Sequence, residues 1–173
     1  MRRALSIISV FAGFAALGTL ASLGLVHADA PAAGTDYTKV SPIDLVKQTP
    51  KGQIKDPYKD TQADIVAQGE TLFRSYSCSG CHGGTGGGGM CPPLTNDTWV
   101  YGGDDDTLFR LVAYGTQILQ SKGYSRKAQE NVVGPMPQMG QVVKTDDDLW
   151  RILAFVRFNY HGAPECKFGC PPP

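Results

Sequence analysis

The chain has 173 residues, of which 42% are apolar, so it can bury the core of one ordinary domain. It carries 16 basic and 16 acidic residues, and this balance excludes the basic surface that nucleic-acid-binding proteins need. The composition therefore predicts a folded domain without a nucleic-acid partner, and it excludes a disordered chain.

The first 28 residues have the pattern of a secretory signal peptide. Arg2 and Arg3 precede an almost uncharged run over residues 4–26, and small residues end the segment at Ala28. We expect cleavage after Ala28 and export to the periplasm, with residues 1–28 absent from the mature protein. An uncleaved membrane anchor is the alternative, because the apolar run is long enough to span a bilayer.

The stretch Cys78-Ser79-Gly80-Cys81-His82 carries the chemistry, because C-x-x-C-H is the attachment sequence of a c-type haem. Two cysteines at this spacing can each bond to one haem vinyl group, and the histidine that follows can bind the iron. A zinc site would need a second Cys/His pair, and a redox-active C-x-x-C would need a βαβ context. The sequence supplies neither, so we expect one covalent haem c held by Cys78, Cys81 and His82.

Three helices are predicted around this motif. The first covers residues 61–76, whose apolar residues recur every three or four positions. Its Gly69 costs helix propensity, which indicates a close crossing with another helix. The second covers residues 105–114 and is stopped by Gly115. The last covers residues 145–160 and begins with three aspartates, which favour the positive end of a helix dipole.

Segments rich in Pro, Gly or polar residues lie between and around these helices. Residues 29–60 are predicted to be an extended arm over the domain, with one or two helical turns after Pro42. The glycine-rich residues 83–89 lack the Lys-Ser/Thr of a phosphate-binding loop, so they predict a flexible loop near the haem edge. Residues 117–133 are predicted to be irregular or briefly helical, and residues 161–173 form a C-terminal tail.

The sixth iron ligand separates an electron carrier from a haem enzyme or gas sensor. A bound methionine raises the potential and closes the iron to oxygen, whereas an open position permits chemistry. Met90 is too close to His82 in sequence to reach the opposite face of the haem. Met136 and Met139 lie in a turn-rich loop before the last helix, and both are candidates on this ground.

In the order of its elements, the chain resembles the class I cytochromes c. The shared elements are a helix with Gly69 and Phe73, C-x-x-C-H, Pro-x-Leu, Met-Pro, and a capped helix with a central aromatic residue. The resemblance covers residues 61–160 and implies an all-α fold around one haem, with N- and C-terminal extensions. It implies that Gly69 and Phe73 cross the last helix near Phe155, and that the protein is an electron carrier rather than an enzyme.

The resemblance also implies roles for individual residues. Met136, which is followed by proline, would be the distal iron ligand, with His82 as the other. The Pro92 carbonyl would accept a hydrogen bond from the His82 imidazole, and Leu94 would pack on the haem ring. Cys91 is a departure, because the family usually has glycine before this proline.

Two longer stretches, residues 92–99 (PPLTNDTW) and 131–137 (NVVGPMP), look like the periplasmic cytochromes of the c-L type. That resemblance implies a monomer that accepts electrons from a pyrroloquinoline quinone (PQQ)-dependent methanol or alcohol dehydrogenase, including the lanthanide-dependent enzymes. It would pass them to another cytochrome c. The alternatives are a haem domain of a different periplasmic redox complex, or a haem enzyme or sensor with a displaceable sixth ligand.

Haem attachment leaves three cysteines, Cys91, Cys166 and Cys170, and an oxidising compartment favours one disulfide among them. We expect Cys91 to bridge to Cys166 or Cys170, because this long loop would contribute on the order of 4 kcal/mol in the chain-entropy model. A local bridge between Cys166 and Cys170 is the alternative.

Overall fold

The computed structural model describes residues 39–97, 99–128 and 134–169. The chain divides into two units, residues 1–30 and 31–173, and every described residue belongs to the second. The signal peptide predicted for residues 1–28 therefore lies outside the described residues. Within the described ranges, no helix has the length and apolar content needed to cross a membrane.

The described part of the chain is helical and contains no strand, which confirms the all-α prediction. Its elements are α1 (Pro42–Gln48), α2 (Ala63–Ser75), α3 (Cys78–His82), α4 (Asp105–Ser121), α5 (Asp146–Phe158) and a 3₁₀-helix (Pro164–Cys166). Helices α4 and α5 are capped at their N-termini. The Asp104 side chain accepts a hydrogen bond from the backbone N–H of Thr107, and the Thr145 side chain accepts one from the backbone N–H of Asp148. These caps satisfy backbone N–H groups that a helix cannot pair internally.

Helices α2 and α5 cross at Gly69. A Cβ atom on Gly69 would lie 2.0 Å from the carbonyl oxygen of Arg151, so only glycine permits this approach. Beside the crossing, the rings of Phe73 and Phe155 pack with their centroids 5.3 Å apart. The predicted crossing of Gly69 and Phe73 with the last helix near Phe155 is confirmed.

We expect Gly69→Ala to lower the free energy of unfolding by about 2–4 kcal/mol, because the new methyl group would overlap the α5 backbone and separate the helices. Chemical denaturation followed by far-UV circular dichroism measures the loss. Gly80→Ala is the control, since a Cβ atom there would meet nothing within 4 Å. Equal stability of the two variants would contradict the close crossing.

The N-terminal arm enters the core as well as covering it. Helix α1 is the helical segment expected after Pro42. Beyond it, the backbone N–H groups of Ile54 and Asp56 donate to the carboxylates of Asp106 and Asp105 at the start of α4. Val46 and Ile54 are 2% and 3% exposed, and they belong to the same hydrophobic cluster as Phe109 of α4 and Trp150 of α5. The arm is therefore packed more deeply than an extended cover would be.

Arg110 of α4 holds this arm by its main chain. The guanidinium donates hydrogen bonds of 2.7 to 2.9 Å to the carbonyl oxygens of Val46, Thr49 and Pro50. Asp106 pairs with Arg110 at 2.9 Å, and both side chains are 5% exposed. Burial alone would raise the pKa of Asp106, but hydrogen bonds from Arg110, a tyrosine and the backbone hold that pKa below its ordinary value.

Helix α4 is longer than predicted. We expected residues 105–114 with a stop at Gly115, but the helix continues to Ser121 across a kink at which Gly115 is non-helical, with φ 71° and ψ 169°. The second part is anchored by Leu119, which is fully buried. A brief helix was among the predictions for residues 117–133, but the polar residues around Leu119 did not indicate that it would join α4.

Candidate haem-binding site

Helix α3 presents the C-x-x-C-H residues to an apolar cavity. Ser77 has a left-handed backbone (φ 61°) and turns the chain from α2 into α3. Cys78, Cys81 and His82 all line the cavity. Burial raises the pKa of the Cys78 thiol, so this group keeps its proton at neutral pH.

The ring of His82 is oriented by Pro92. Its Nδ1 atom lies 2.9 Å from the carbonyl oxygen of Pro92, to which a protonated Nδ1 donates a hydrogen bond. This is the contact that the family resemblance implied. With Nδ1 engaged, Nε2 is the nitrogen that remains to bind a metal.

The glycine-rich loop after His82 folds back onto α3. The backbone N–H of Gly88 donates to the His82 carbonyl at 2.8 Å, and that of Cys91 donates to the Cys81 carbonyl at 3.0 Å. These bonds return residues 91–94 to the cavity, so Pro92 and Leu94 line it beside α3. The loop is therefore held by its own backbone at the site.

The loop from Met136 to Gly140, here called the methionine loop, is held by the kink in α4. In an uninterrupted helix the N–H of Thr116 would bond to the Val112 carbonyl. Instead, Thr116 donates to the Met136 carbonyl and Met139 donates to the Val112 carbonyl, each at 3.0 Å. The N–H of Met136 also donates to the Thr116 hydroxyl at 3.0 Å. The kink thus exchanges helix bonds for bonds that fix the methionine loop.

Substitution of Gly115 should test this coupling. A Cβ atom on Gly115 would lie 2.6 Å from the Met136 carbonyl oxygen. We expect Gly115→Ala to displace the loop, which would weaken the absorption band that arises from methionine bound to haem iron. Gly123→Ala is the matched control, because Gly123 also has a positive φ (+80°) but open space around it.

Gly123→Ala should cost about 1 kcal/mol from backbone strain alone and leave the spectrum unchanged. Absorption spectra and denaturation curves of the two variants make the comparison. An unchanged methionine band in Gly115→Ala protein would show that the kink does not hold the loop.

All six predicted site residues line the one cavity: Cys78, Cys81, His82, Pro92, Leu94 and Met136. Met139 lines it too, so the lining alone does not choose between the two methionines. His82 comes from α3 and both methionines come from the methionine loop, so the imidazole and the thioethers are supplied by separate elements.

Several lining residues were not predicted from the sequence, among them Trp99, Thr116 and Arg126. Trp99 donates from its indole to the Leu94 carbonyl at 2.7 Å, and its ring packs on Tyr160 with centroids 4.8 Å apart. Its place at the end of the stretch 92–99 was a usable signal. Thr116 and Arg126 have mostly polar neighbours in the sequence, and these gave no signal of a binding site.

The cavity suits a haem. Its lining is mostly aliphatic and aromatic, which matches an apolar macrocycle, and Arg126 adds a cation. Imidazole and thioether groups are both ligands for haem iron. The thiols of Cys78 and Cys81 are the groups that would attach it covalently.

The structure contradicts the expected long disulfide. Cys91 is paired with Cys81, with Cα atoms 5.0 Å apart, so it does not bridge to Cys166 or Cys170. The physical reason is the fold of the glycine-rich loop, whose backbone bonds bring Cys91 onto α3. Cys166 is disulfide-bonded as well. The alternative of a local bridge involves Cys170, which lies outside the described residues.

The family model described as cytochrome c oxidase, cbb3-type, subunit III matches residues 64–156, which is more than half of the chain. The chain belongs to this cytochrome c family. Membership shows a class I c-type cytochrome whose cofactor is covalently bound haem c. It also confirms the expectation of an electron-carrying domain rather than an enzyme.

Two cbb3-type oxidase subunits are similar to this chain over part of their length. Subunit CcoP of the cbb3-type cytochrome c oxidase of Rubrivivax gelatinosus is 32% identical over 107 residues, which cover 61% of this chain and 29% of that protein. CcoP of Azospirillum sp. (strain B510) is 37% identical over 65 residues, covering 33% and 22%. The chain thus spans less than a third of these relatives.

A solved structure is also similar to the chain. Cytochrome CL from the marine methylotrophic bacterium Methylophaga aminisulfidivorans is 24% identical, and the superposition covers 80% of this chain and 78% of that chain. The TM-score is 0.49.

Proposed function

We propose that this protein is an exported monohaem cytochrome that carries single electrons, with His82 and Met136 as the two iron ligands. The observation that carries the proposal is that both side chains line one apolar cavity, which Cys78 and Cys81 also line. When bound there, haem c supplies reversible one-electron oxidation of its iron. Two protein ligands would close the iron to oxygen, which suits a carrier.

In this proposal, Pro92, Leu94 and Trp99 support the haem site. Pro92 fixes the His82 ring through the 2.9 Å contact to Nδ1. Leu94 and Trp99 exclude water from the cavity, and the hydrogen bond between the Trp99 indole and the Leu94 carbonyl keeps both in position. In a dry, rigid site, the positions of the surrounding groups change little when the charge of the iron changes. This small rearrangement favours fast electron transfer.

For the partners, we propose a PQQ-dependent methanol or alcohol dehydrogenase as donor and another c-type cytochrome as acceptor. The support is the resemblance of residues 92–99 and 131–137 to c-L type cytochromes. Met90, which directly follows the glycine-rich loop, is 67% exposed, so it offers an uncharged contact near the cavity. Electron-transfer partners generally meet through small, short-lived interfaces of this kind, consistent with a monomeric carrier.

Reduction by a purified PQQ-dependent methanol dehydrogenase tests the donor. We expect the haem absorption to show reduction only when both dehydrogenase and methanol are present, and reoxidation on addition of a second cytochrome c. Met90→Glu should slow reduction by the dehydrogenase and leave reduction by ascorbate unchanged. A protein that ascorbate reduces but the dehydrogenase does not would exclude this donor.

A second candidate is a haem domain bound in a membrane oxidase complex, and the cbb3-type relatives favour it. The two candidates differ at the N-terminus of the purified protein. An export signal cleaved after Ala28 supports a free periplasmic carrier. Retention of residues 4–26, together with co-purification of oxidase subunits, would support the membrane-bound domain instead.

A further inference from the structure

We propose that Asp56 takes up a proton when the haem accepts an electron and releases it when the electron leaves, so that Asp56 makes the reduction potential fall as the pH rises. The proposal rests on the proposed function, because it needs a haem in the cavity whose iron changes its charge by one unit. Asp56 belongs to the N-terminal arm and does not line the cavity.

Asp56 belongs to a buried cluster in which one cation serves two carboxylates. Arg157 pairs with Asp56 at 2.5 Å and with Asp105 at 2.7 Å, and the three side chains are 0%, 5% and 21% exposed. The Asp56 backbone N–H also donates to the Asp105 carboxylate at 3.1 Å. If both carboxylates were ionised, one negative charge would stay uncompensated away from water. Protonation of one carboxylate removes that charge.

The cluster lies next to the wall of the haem cavity. Val156 and Tyr101 line the cavity, and they are 8% and 4% exposed. Arg157 follows Val156 on α5, and its guanidinium donates to the carbonyl of Gly103, two residues after Tyr101, at 2.9 Å. Protein rather than water therefore fills the space around the cluster on this side. A charge that changes in the cavity is screened less by such surroundings than by solvent.

The ionisation of Asp56 falls in the pH range that this coupling needs. Burial raises the pKa of Asp56 to about 7 despite the attraction of Arg157, and the charge of Asp105 adds to the rise. The other charged or titratable groups of the elements packed here have partners of their own: Tyr58 with Asp147 and Arg151, Lys167 with Asp60, Lys127 with Asp104, and Arg110 with Asp106.

The direction of the effect follows from the charge of the iron. An added electron removes one positive charge from the cavity, so the Asp56 carboxylate is stabilised less and its pKa is higher in the reduced protein than in the oxidised protein. Between these two pKa values, Asp56 binds one proton from solvent as the electron arrives. It returns that proton to solvent when the electron passes to the acceptor. Proton binding thus favours reduction, and the potential is higher on the acidic side.

Redox titration of the haem-loaded full chain with small mediators, from about pH 5 to about pH 9, tests the coupling. The proteins compared are wild type, Asp56→Asn and Asp44→Asn. Asparagine keeps the volume of Asp56, and Asp44→Asn removes the same charge from a side chain that is 66% exposed. The carboxylates of the haem itself are present in all three proteins, so a difference between the pH profiles belongs to the substituted residue.

We expect the equilibrium constant for reduction of wild type and Asp44→Asn to fall several-fold across this range, where tenfold corresponds to about 59 mV for one electron. Asp56→Asn should lack most of the fall. In Asp105→Asn the fall should remain but move to lower pH, because the charge that raises the pKa of Asp56 is gone. A residue that only supported the fold would not move the profile in this way.

Nuclear magnetic resonance of ¹³C-labelled aspartate carboxyl groups in the wild-type protein measures the pKa of Asp56 directly, so the test does not depend on the folding of a variant. We expect a higher pKa in the reduced protein than in the oxidised protein. Equal pKa values in the two redox states, or the same pH profile for Asp56→Asn and wild type, would overturn the proposal. A chain that takes up no haem, or that cannot be reduced reversibly at any pH, would instead contradict the proposed function.

Discussion

Met136→Leu should abolish the methionine-to-iron absorption band and lower the reduction potential while the fold is retained. Leucine has nearly the volume of methionine, so packing in the cavity changes little, but it has no sulfur to bind iron. The freed position should take up water or an added ligand, so the reduced variant should bind carbon monoxide without denaturant. Absorption spectra and redox titration measure both effects.

Met139→Leu is the matched control, because Met139 lines the same cavity from the same methionine loop. It packs against the hydrophobic core, so leucine there should keep the band and cost under about 1.5 kcal/mol. Loss of the band in Met139→Leu protein, with its retention in Met136→Leu protein, would reverse the ligand assignment. Absence of the band from the wild-type protein, together with fast carbon monoxide binding in its reduced form, would support an enzyme or sensor with a displaceable ligand.

The second large effect is expected from Arg157→Met. Arg157 lies on α5 with a side chain that is 0% exposed, and it pairs with Asp56 at 2.5 Å and Asp105 at 2.7 Å. It also donates to the Gly103 carbonyl at 2.9 Å, so it joins the arm to the turn before α4. Removing it leaves the buried carboxylate of Asp56 and the half-buried carboxylate of Asp105 without this partner charge, which should cost about 3–5 kcal/mol. Chemical denaturation of the holoprotein measures this.

Arg74→Met is the control, because Arg74 pairs with Glu70 on the surface of α2, where the side chains are 51% and 44% exposed. An exposed pair of this kind contributes little, so the variant should stay within about 1 kcal/mol of wild type. Similar losses in both variants would show that the buried network adds nothing beyond an ordinary surface pair.

The pH dependence of the Arg157→Met variant should identify Asp56 as the stranded charge. Burial raises the pKa of Asp56 from 3.8 to about 7 despite the attraction of Arg157. The folded state therefore favours protonated Asp56, and the stability it contributes is full below pH 3.8 and lost as the pH rises through about 7. Without Arg157, acidification from about pH 8 to about pH 5 should restore part of the loss. The double variant with Asp56→Asn should lack this recovery.

The sequence was most informative where one local signal determined the structure. Gly69 interrupts an otherwise good helical pattern, and a close crossing with α5 is the physical reason that only glycine fits. The three aspartates before Leu149 and the Thr145 cap likewise mark the start of α5 with local chemistry. C-x-x-C-H needed no tertiary information to indicate haem c.

The sequence was least informative where backbone segments that are distant along the chain meet in the fold. The kink at Gly115 exists because the methionine loop takes over helix bonds at Thr116 and Val112, and no local pattern reports such an exchange. The pairing of Cys91 with Cys81 likewise follows from loop bonds between backbone atoms. The number of cysteines and the loop lengths favoured a long bridge, because neither indicates where the glycine-rich loop returns in the fold.

Arg110 holds the arm through main-chain contacts. This affects where the chain can be truncated and how far its sequence can diverge. Its three acceptors in the arm are main-chain carbonyls of residues 46–50, so side chains there can change without loss of the attachment. Sequence similarity should therefore fade in this arm before the contacts do. The family match begins at residue 64. A fragment cut at that boundary would lack Val46 and Ile54 and leave the buried Arg110 facing water.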